Sequence, residues 1–256
     1  MQLAHHTYGN PDNPPVLLLH GFMSSRYQWM GNQDALSEHF FLVMVELWGH
    51  GDSPAPTSNA SYNTSTYVAE FERIRKNLGL ARWHLIGQSY GAGLIIAYAI
   101  AHPERTQAVV ITNSRSALAT GPVKPRSAPS AAKKAPAEFN PRRLPYHPIH
   151  ARRFPNDVRD ALVTTADAID ALTIELTSAL AVRLNSIDAI ASLLNRLLIV
   201  NGVFEKSFQQ DMKVLKQRYP DLESIDLEGG HSVNIEAADG FNEAVIQFFN
   251  RAASTT

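Results

Sequence analysis

Five residues, Gly87-Gln88-Ser89-Tyr90-Gly91, constrain this chain more than any other stretch. Before them stands Trp83-His84-Leu85-Ile86, an apolar run that reads as a buried strand. After them comes Ala92-Gly93-Leu94-Ile95-Ile96-Ala97-Tyr98-Ala99-Ile100, which reads as a buried helix. A serine at such a sharp strand-to-helix turn has a strained backbone and an exposed hydroxyl. Gly87 and Gly91 stand where a side chain would collide with the neighbouring helix or strand, and Gly93 lets the helix lie close to the sheet. The helix N-terminus faces the serine, so free N–H groups and the positive dipole end point at any developing oxyanion. A bare G-x-S-x-G is a weak pattern. The strand and helix around it make Ser89 a candidate nucleophile.

The rest of the chain alternates strand and helix. Gln2 to Tyr8 reads as an edge strand, and Val16-Leu17-Leu18-Leu19 as a strand covered on both faces. A helix is expected around Tyr27 to Glu38, then a strand over Phe40 to Val45. Asn63 or Thr64 is a candidate cap for a helix running to Asn77, which Gly79 stops. Ala108 to Thr112 is another buried strand. The pattern predicts an α/β fold: a mostly parallel, twisted sheet of about seven strands, with right-handed crossovers and flanking helices.

After Ser116 the pattern breaks. The stretch from Gly121 to Pro155 is rich in proline, alanine and basic residues, among them Lys124, Arg126, Lys133, Lys134, Arg142, Arg143, Arg152 and Arg153. Its first part, to Ala137, reads as mobile. Asn156 is a candidate cap for a helical stretch whose apolar face runs through Val158, Leu162, Val163, Ala166, Ile169, Leu172 and Leu176. The sheet pattern resumes at Arg196 to Gly202. A helix from Phe208 to Arg218, a strand over Leu222 to Leu227 and a closing helix from Ala237 to Arg251 follow. The expected organisation is a core of residues 1–118 and 196–256 with a mainly helical cap, 119–195, inserted into it.

Composition narrows the chemistry. At 256 residues, 45% of them hydrophobic, the chain can bury a sizeable core. A formal net charge of −1 gives no reason to expect nucleic acid or an anionic membrane surface as partner. The absence of cysteine rules out disulfides, thiolate metal sites and a cysteine nucleophile. Met1 to His6 lacks the basic-then-apolar pattern of a signal peptide, and no apolar run is long enough to span a bilayer. A cytoplasmic protein is the expectation.

A serine nucleophile needs a base, an acid to orient the base, and oxyanion donors. In an open parallel sheet these belong at the carboxyl ends of the strands. The base is expected in the loop after the last strand, where Gly229-Gly230-His231 supplies His231. The acid is expected after the strand Leu197–Val200, where Gly202-Val203-Phe204-Glu205 supplies Glu205; Asp211 is the second choice. The other place for an acid, just after Thr112, holds Asn113-Ser114-Arg115 and no carboxylate. The oxyanion donors are expected to be the backbone N–H groups of Tyr90 and Phe22. His20, Gly21, Met23 and Gln88 are expected around the substrate pocket, with His20 a structural hydrogen-bonding residue and not a proton carrier. The cap arginines read as a solvated basic face, with one reaching inward to a substrate carboxylate or phosphate as the other reading. Tyr146, His147 and His150 stand among them without metal-ligand spacing, so no metal and no cofactor are expected.

The chain resembles the α/β-hydrolase fold superfamily. The resemblance rests on His20-Gly21-Phe22, Trp48-Gly49-His50-Gly51-Asp52-Ser53, Gly87-Gln88-Ser89-Tyr90-Gly91, Gly202-Val203-Phe204-Glu205 and Gly230-His231, and covers nearly all the chain except the cap. The order serine, acid, histidine is that family's order. It implies Ser89 as nucleophile, His231 as general base and then acid, and Glu205 as the orienting carboxylate. Glutamate stands where aspartate is commoner, and Glu46 and Trp48 stand where an aspartate and an arginine are frequent. The short N-terminus implies that the family's first antiparallel strand is missing. Serine at the turn separates the chain from epoxide hydrolases and haloalkane dehalogenases, which use aspartate there. The implied activity is that of a serine hydrolase acting on a small-molecule ester, thioester or lactone. The alternatives are a carbon–carbon hydrolase or lyase with the same residues, and a slowly turning-over small-molecule receptor. A homodimer through apolar cap surface is a further expectation.

Overall fold

Apolar runs bounded by turns form the strands. The computed structural model describes residues 1–121 and 139–253. Its strands are β1 (His5–Tyr8), β2 (Pro15–Leu19), β3 (Phe41–Val45), β4 (Trp83–Gly87), β5 (Thr106–Thr112), β6 (Leu197–Gly202) and β7 (Glu223–Leu227). They make one sheet in the order β1-β3-β2-β4-β5-β6-β7. β1 runs antiparallel to β3, and every other pairing is parallel. The serine turn leaves from β4, at the middle of the sheet, where the strand order reverses direction. That is where an open parallel sheet leaves a crevice at its carboxyl edge.

The helices are α1 (Met30–Ser37), α2 (Thr64–Asn77), α3 (Tyr90–Ala101), α4 (Arg115–Leu118), α5 (Asn156–Asp167), α6 (Ala171–Ala181), α7 (Lys206–Arg218), α8 (Val233–Glu236) and α9 (Ala238–Ala253). Alternate strand residues feed two cores. Leu17, Leu19, Leu85, Val109 and Ile199 pack towards α2, α3 and α7, meeting Phe71, Ile95 and Phe208. Val16, Leu18, Ile86, Val110 and Leu198 pack towards α1 and α9, meeting Leu36, Phe241 and Phe249. Both faces of the central strands are therefore covered, which is why those strands read as continuous apolar runs and do not alternate. Among the described residues no helix is long and apolar enough to cross a membrane.

Several boundaries differ from the expectation. The helix expected over Tyr27 to Glu38 is split into a 3-10 turn, Arg26–Trp29, and α1. The expected strand over Gln2 to Tyr8 begins only at His5. Asn156 is the first helical residue of α5 and not its cap; Pro155 precedes it without a side-chain cap bond. The single apolar face expected from Val158 to Leu176 is broken. Asp170 accepts a hydrogen bond from the Thr173 N–H at 2.7 Å and starts α6 as a new helix, leaving Leu172 exposed. A separate turn, α8, intervenes between His231 and the closing helix. Gly93 makes room for Leu184 rather than for the sheet: a Cβ there would meet Leu184 Cβ at 2.8 Å. The basic stretch that holds Lys124, Arg126, Lys133 and Lys134, and was expected to be mobile, lies outside the described residues.

Candidate active site

The tight turn between β4 and α3 fixes Ser89. Its backbone adopts φ 51° and ψ −110°, a region that costs a non-glycine residue about 1–3 kcal/mol. The turn is over-determined by its neighbours. Gln88 N–H donates to Leu19 O at 3.0 Å, and Gly91 N–H donates to Gln88 O at 2.8 Å. A Cβ on Gly91 would meet the carbonyl oxygens of Leu19 and His20 at 2.5 and 2.6 Å, so no other residue lets α3 start so close to the end of β2. Ser114 Oγ donates to Ser89 O.

Loops after β6 and β7 bring the other two side chains to the serine. Ser89 Oγ lies 2.8 Å from His231 Nε2, and His231 Nδ1 lies 2.9 Å from Glu205 Oε2. An ionised carboxylate only accepts, so Nδ1–H donates to Glu205 and Nε2 is left to accept the serine proton. The two loops are joined to each other: Val203 N–H donates to Leu227 O and Phe204 N–H to Gly229 O. Asn113, at the end of β5, both donates to Gly202 O and accepts from Gly202 N–H, which pins the start of the Glu205 loop. Burial pushes the Glu205 carboxyl up, but the charge and hydrogen bond of His231, with Asn113 and Ser207 adding to them, hold it below its ordinary value. Asp211, the second choice for the acid, is far from this work. It is buried on α7, where it binds Arg115 Nε and the N–H and hydroxyl of Thr120.

Ser89, His231 and Glu205 open into a cleft of about 370 Å³. Phe22, Met23, Gln28 and Gln88 line it from the sheet side. Tyr146, His147, His150, Phe154 and Leu162 line it from the segment between β5 and β6. Phe22 packs on Tyr146 with ring centroids 5.2 Å apart. The sequence does not single out these roof residues, because most lie in irregular turns with no periodicity to mark which side faces a cleft.

Contrary to expectation, neither His20 nor Gly21 lines the cleft. His20 is fully buried, accepts from Leu47 N–H at Nε2, and has its Nδ1 2.7 Å from Gly21 O. Burial pushes its pKa down to about 4, so it is a neutral strut between two loops. Gly21 is where it is because Gln88 fills the space a side chain would need. The Tyr90 side chain also points away, into the core. Among the described residues, neither the Tyr90 N–H nor the Phe22 N–H donates to a backbone carbonyl, and Tyr90 is the first residue of α3. Of the cap arginines that are described, none lines the cleft. Arg142 pairs with Asp167, and Arg153 with Glu236. Glu46, unusual at its position, is buried and accepts from Asp52 N–H, Arg26 N–H and the Arg26 guanidinium.

The α/β hydrolase fold family model matches residues 14–196. This chain belongs to the α/β-hydrolase fold family. The proline iminopeptidase of Xylella fastidiosa (strain 9a5c) is 34% identical over 111 residues, covering 43% of this chain and 35% of that relative. The chain thus spans about a third of the length of the curated relatives it matches first. A carboxylesterase structure from Nitrososphaera gargenis superposes with a TM-score of 0.78 at 16% identity, covering 99% of this chain and 96% of that one. The enol-lactonase of Burkholderia xenovorans LB400 superposes with a TM-score of 0.74 at 22% identity, covering 97% of this chain and 96% of that one. At these identities the superpositions speak for the fold, an α/β-hydrolase sheet over nearly the full length.

Proposed function

We propose that this α/β hydrolase is a serine hydrolase of small carboxylic esters, thioesters or lactones, acting through an acyl-enzyme on Ser89. The observation that carries the reading is the continuous hydrogen-bonded line from Ser89 Oγ through His231 to Glu205. His231 Nε2 takes the serine proton as Oγ attacks the carbonyl carbon. The oxyanion that forms is met by the N–H of Tyr90, at the N-terminus of α3, and by that of Phe22, in the loop after β2. His231 then returns the proton to the leaving alcohol or thiol. A water, deprotonated by the same nitrogen, releases the acid and restores Ser89. Glu205 holds the imidazole with Nε2 turned to the serine and stabilises its protonated form. The roof over the cleft, drawn from residues 139–195, is taken as part of an inserted cap. Its aromatic lining, with Phe22 and Met23 below, suits an acyl chain or ring of modest size. The carboxylesterase and enol-lactonase neighbours agree with an ester or lactone carbonyl; the peptidase name of the sequence relative leaves an amide as the competing bond.

The test is an intact-mass shift after incubation with a fluorophosphonate, followed by a panel of phenyl esters, thioesters and lactones. A single adduct on Ser89, absent in Ser89→Ala, is expected. Ser89→Ala and His231→Ala should lose several orders of magnitude in kcat, and Glu205→Gln less. Undiminished ester hydrolysis by Ser89→Ala would remove the assignment.

A further inference from the structure

The roof of the cleft and the loop that holds His231 share a contact that the hydrolytic chemistry does not itself require. Arg153 leaves the roof segment just before α5 and reaches both loops of the sheet edge. Its guanidinium lies 4.7 Å from the centre of the Phe204 ring, beside Glu205 in sequence. Its Nη1 lies 3.4 Å from Glu236 Oε2. That same oxygen accepts the Gly230 N–H at 2.9 Å, one residue before His231. The Glu236 side chain is only 10% exposed, on the wall of the cleft, whereas Arg153 is 59% exposed.

A second, apolar contact runs in parallel. Phe154, Val158 and Leu162 of the roof pack against Ile235. Ile235 and Glu236 are the last two residues of α8, the four-residue turn that begins two residues after His231. The roof is therefore seated on the element that follows His231, while the carboxylate of that element clamps the residue before it. His231 lies between the element on which the roof sits and the residue that this element's carboxylate holds.

We propose that Arg153 and Glu236 are positioning residues, which couple the seating of the roof to the placement of the His231 imidazole. Their effect on rate rests on the hydrolase reading above; their effect on the loop does not. An ion pair on an open surface is worth little, and a merely superficial one would leave both unmoved. Here one partner is nearly buried and shares its oxygen with the backbone of the catalytic loop. Loss of the guanidinium leaves the carboxylate without its cation and the Phe204 loop without its cover.

The experiment compares wild type with Arg153→Ala, Arg153→Lys and Glu236→Gln. Amide hydrogen exchange is followed over residues 229–236, and the fluorophosphonate labelling rate and phenyl acetate kinetics are measured beside it. Arg153→Ala is expected to speed exchange at the Gly230 N–H and to slow labelling and kcat by about tenfold, with KM little changed. Arg153→Lys should recover part of both, and Glu236→Gln should shift both in the direction of Arg153→Ala, because the amide oxygen still accepts but no longer carries the charge that holds the guanidinium. Exchange as in wild type in Arg153→Ala, or a change in KM alone, would overturn the proposal. So would losses that simply follow each variant's urea midpoint. Should the wild type itself neither hydrolyse phenyl acetate nor take the probe, the hydrolase reading fails, and the exchange comparison still decides whether the roof holds the loop.

Discussion

Ser114 Oγ donates to the backbone carbonyl of Ser89 over 2.6 Å. The donor stands after β5, the acceptor after β4, and both are buried at the carboxyl edge of the sheet. The same hydroxyl accepts the Ala117 N–H and so starts α4. One side chain therefore steadies the strained turn and caps a neighbouring helix. Ser114→Ala should cost about 1–2 kcal/mol, measured by urea unfolding. It should also slow fluorophosphonate labelling of Ser89, since the turn is then less firmly held. A variant with wild-type values for both would show that the bond carries nothing.

The strain at Ser89 predicts that this serine is held at a cost. With φ at 51°, a side chain at this position is disfavoured by about 1–3 kcal/mol. Glycine accepts that backbone freely, although it adds about 0.4–1 kcal/mol of entropy to the unfolded chain. The strain is the larger effect. Ser89→Gly should therefore unfold at higher urea than Ser89→Ala, with neither retaining activity. The reverse order would mean that the turn is not strained.

Acid should destabilise the fold through its buried histidines. Burial pushes His20 and His84 down to about 4 and His50 to about 3, the last helped by the nearby His20. Each is neutral in the fold at pH 5, whereas the unfolded chain takes up a proton near its ordinary value of about 6.5. The unfolded state then binds more protons, so stability falls as pH drops from about 6.5 and stops falling below each folded value. Glu205 adds a smaller loss at lower pH: its folded pKa lies below the ordinary value, so its contribution disappears as the pH falls through that value. Each histidine is worth about 1.4 kcal/mol per pH unit within its window. The urea midpoint should drop steeply between pH 6 and pH 4.5, and less steeply in His84→Phe, whose ring can keep the stack on Phe249 at 4.2 Å. An unchanged slope in that variant would show that His84 is protonated in the fold.

What the sequence tells and what it withholds follow the range of the forces involved. Strands β2 to β6 are legible because they are covered on both faces, and continuous apolar runs between turns have few other uses. Ser89, Glu205 and His231 could be singled out because each follows a strand end in the expected order, and the structure brings their side chains together. The roof is legible only as an interruption. Nothing near Leu184 says that it packs on Gly93, nor does anything near Tyr146 or Phe154 say that each faces the cleft. His20 is expected at the pocket and as a structural hydrogen-bonding residue; it is buried instead, and the N–H it binds belongs to Leu47, 27 residues away. The break between α5 and α6 has a local mark in Asp170, a residue type that caps helix starts, whereas the apolar spacing alone runs on through it.

Gly93 gives the sharpest test of how the roof is attached. In an isolated helix, alanine would be better than glycine by about 1 kcal/mol. Here a Cβ would meet Leu184 Cβ at 2.8 Å and its Cδ1 at 3.2 Å, with Leu184 itself buried. A Cβ–Cβ clash is not relieved by turning a side chain, so backbone has to move, at about 1–3 kcal/mol. The clash should win, and Gly93→Ala should be destabilising by urea unfolding. In a Leu184→Gly background the obstacle is gone, and the same substitution should become stabilising. That change of sign is the expected result; the same sign in both backgrounds would mean that α3 and the chain after α6 are not in contact there. Gly91 offers the contrast. Its obstacle is made of backbone carbonyls on β2 and the Phe22 loop, which no side-chain substitution removes. Gly91→Ala should part Tyr90 N–H from Phe22 N–H, and its loss of Ser89 labelling should exceed that of Gly93→Ala at equal stability.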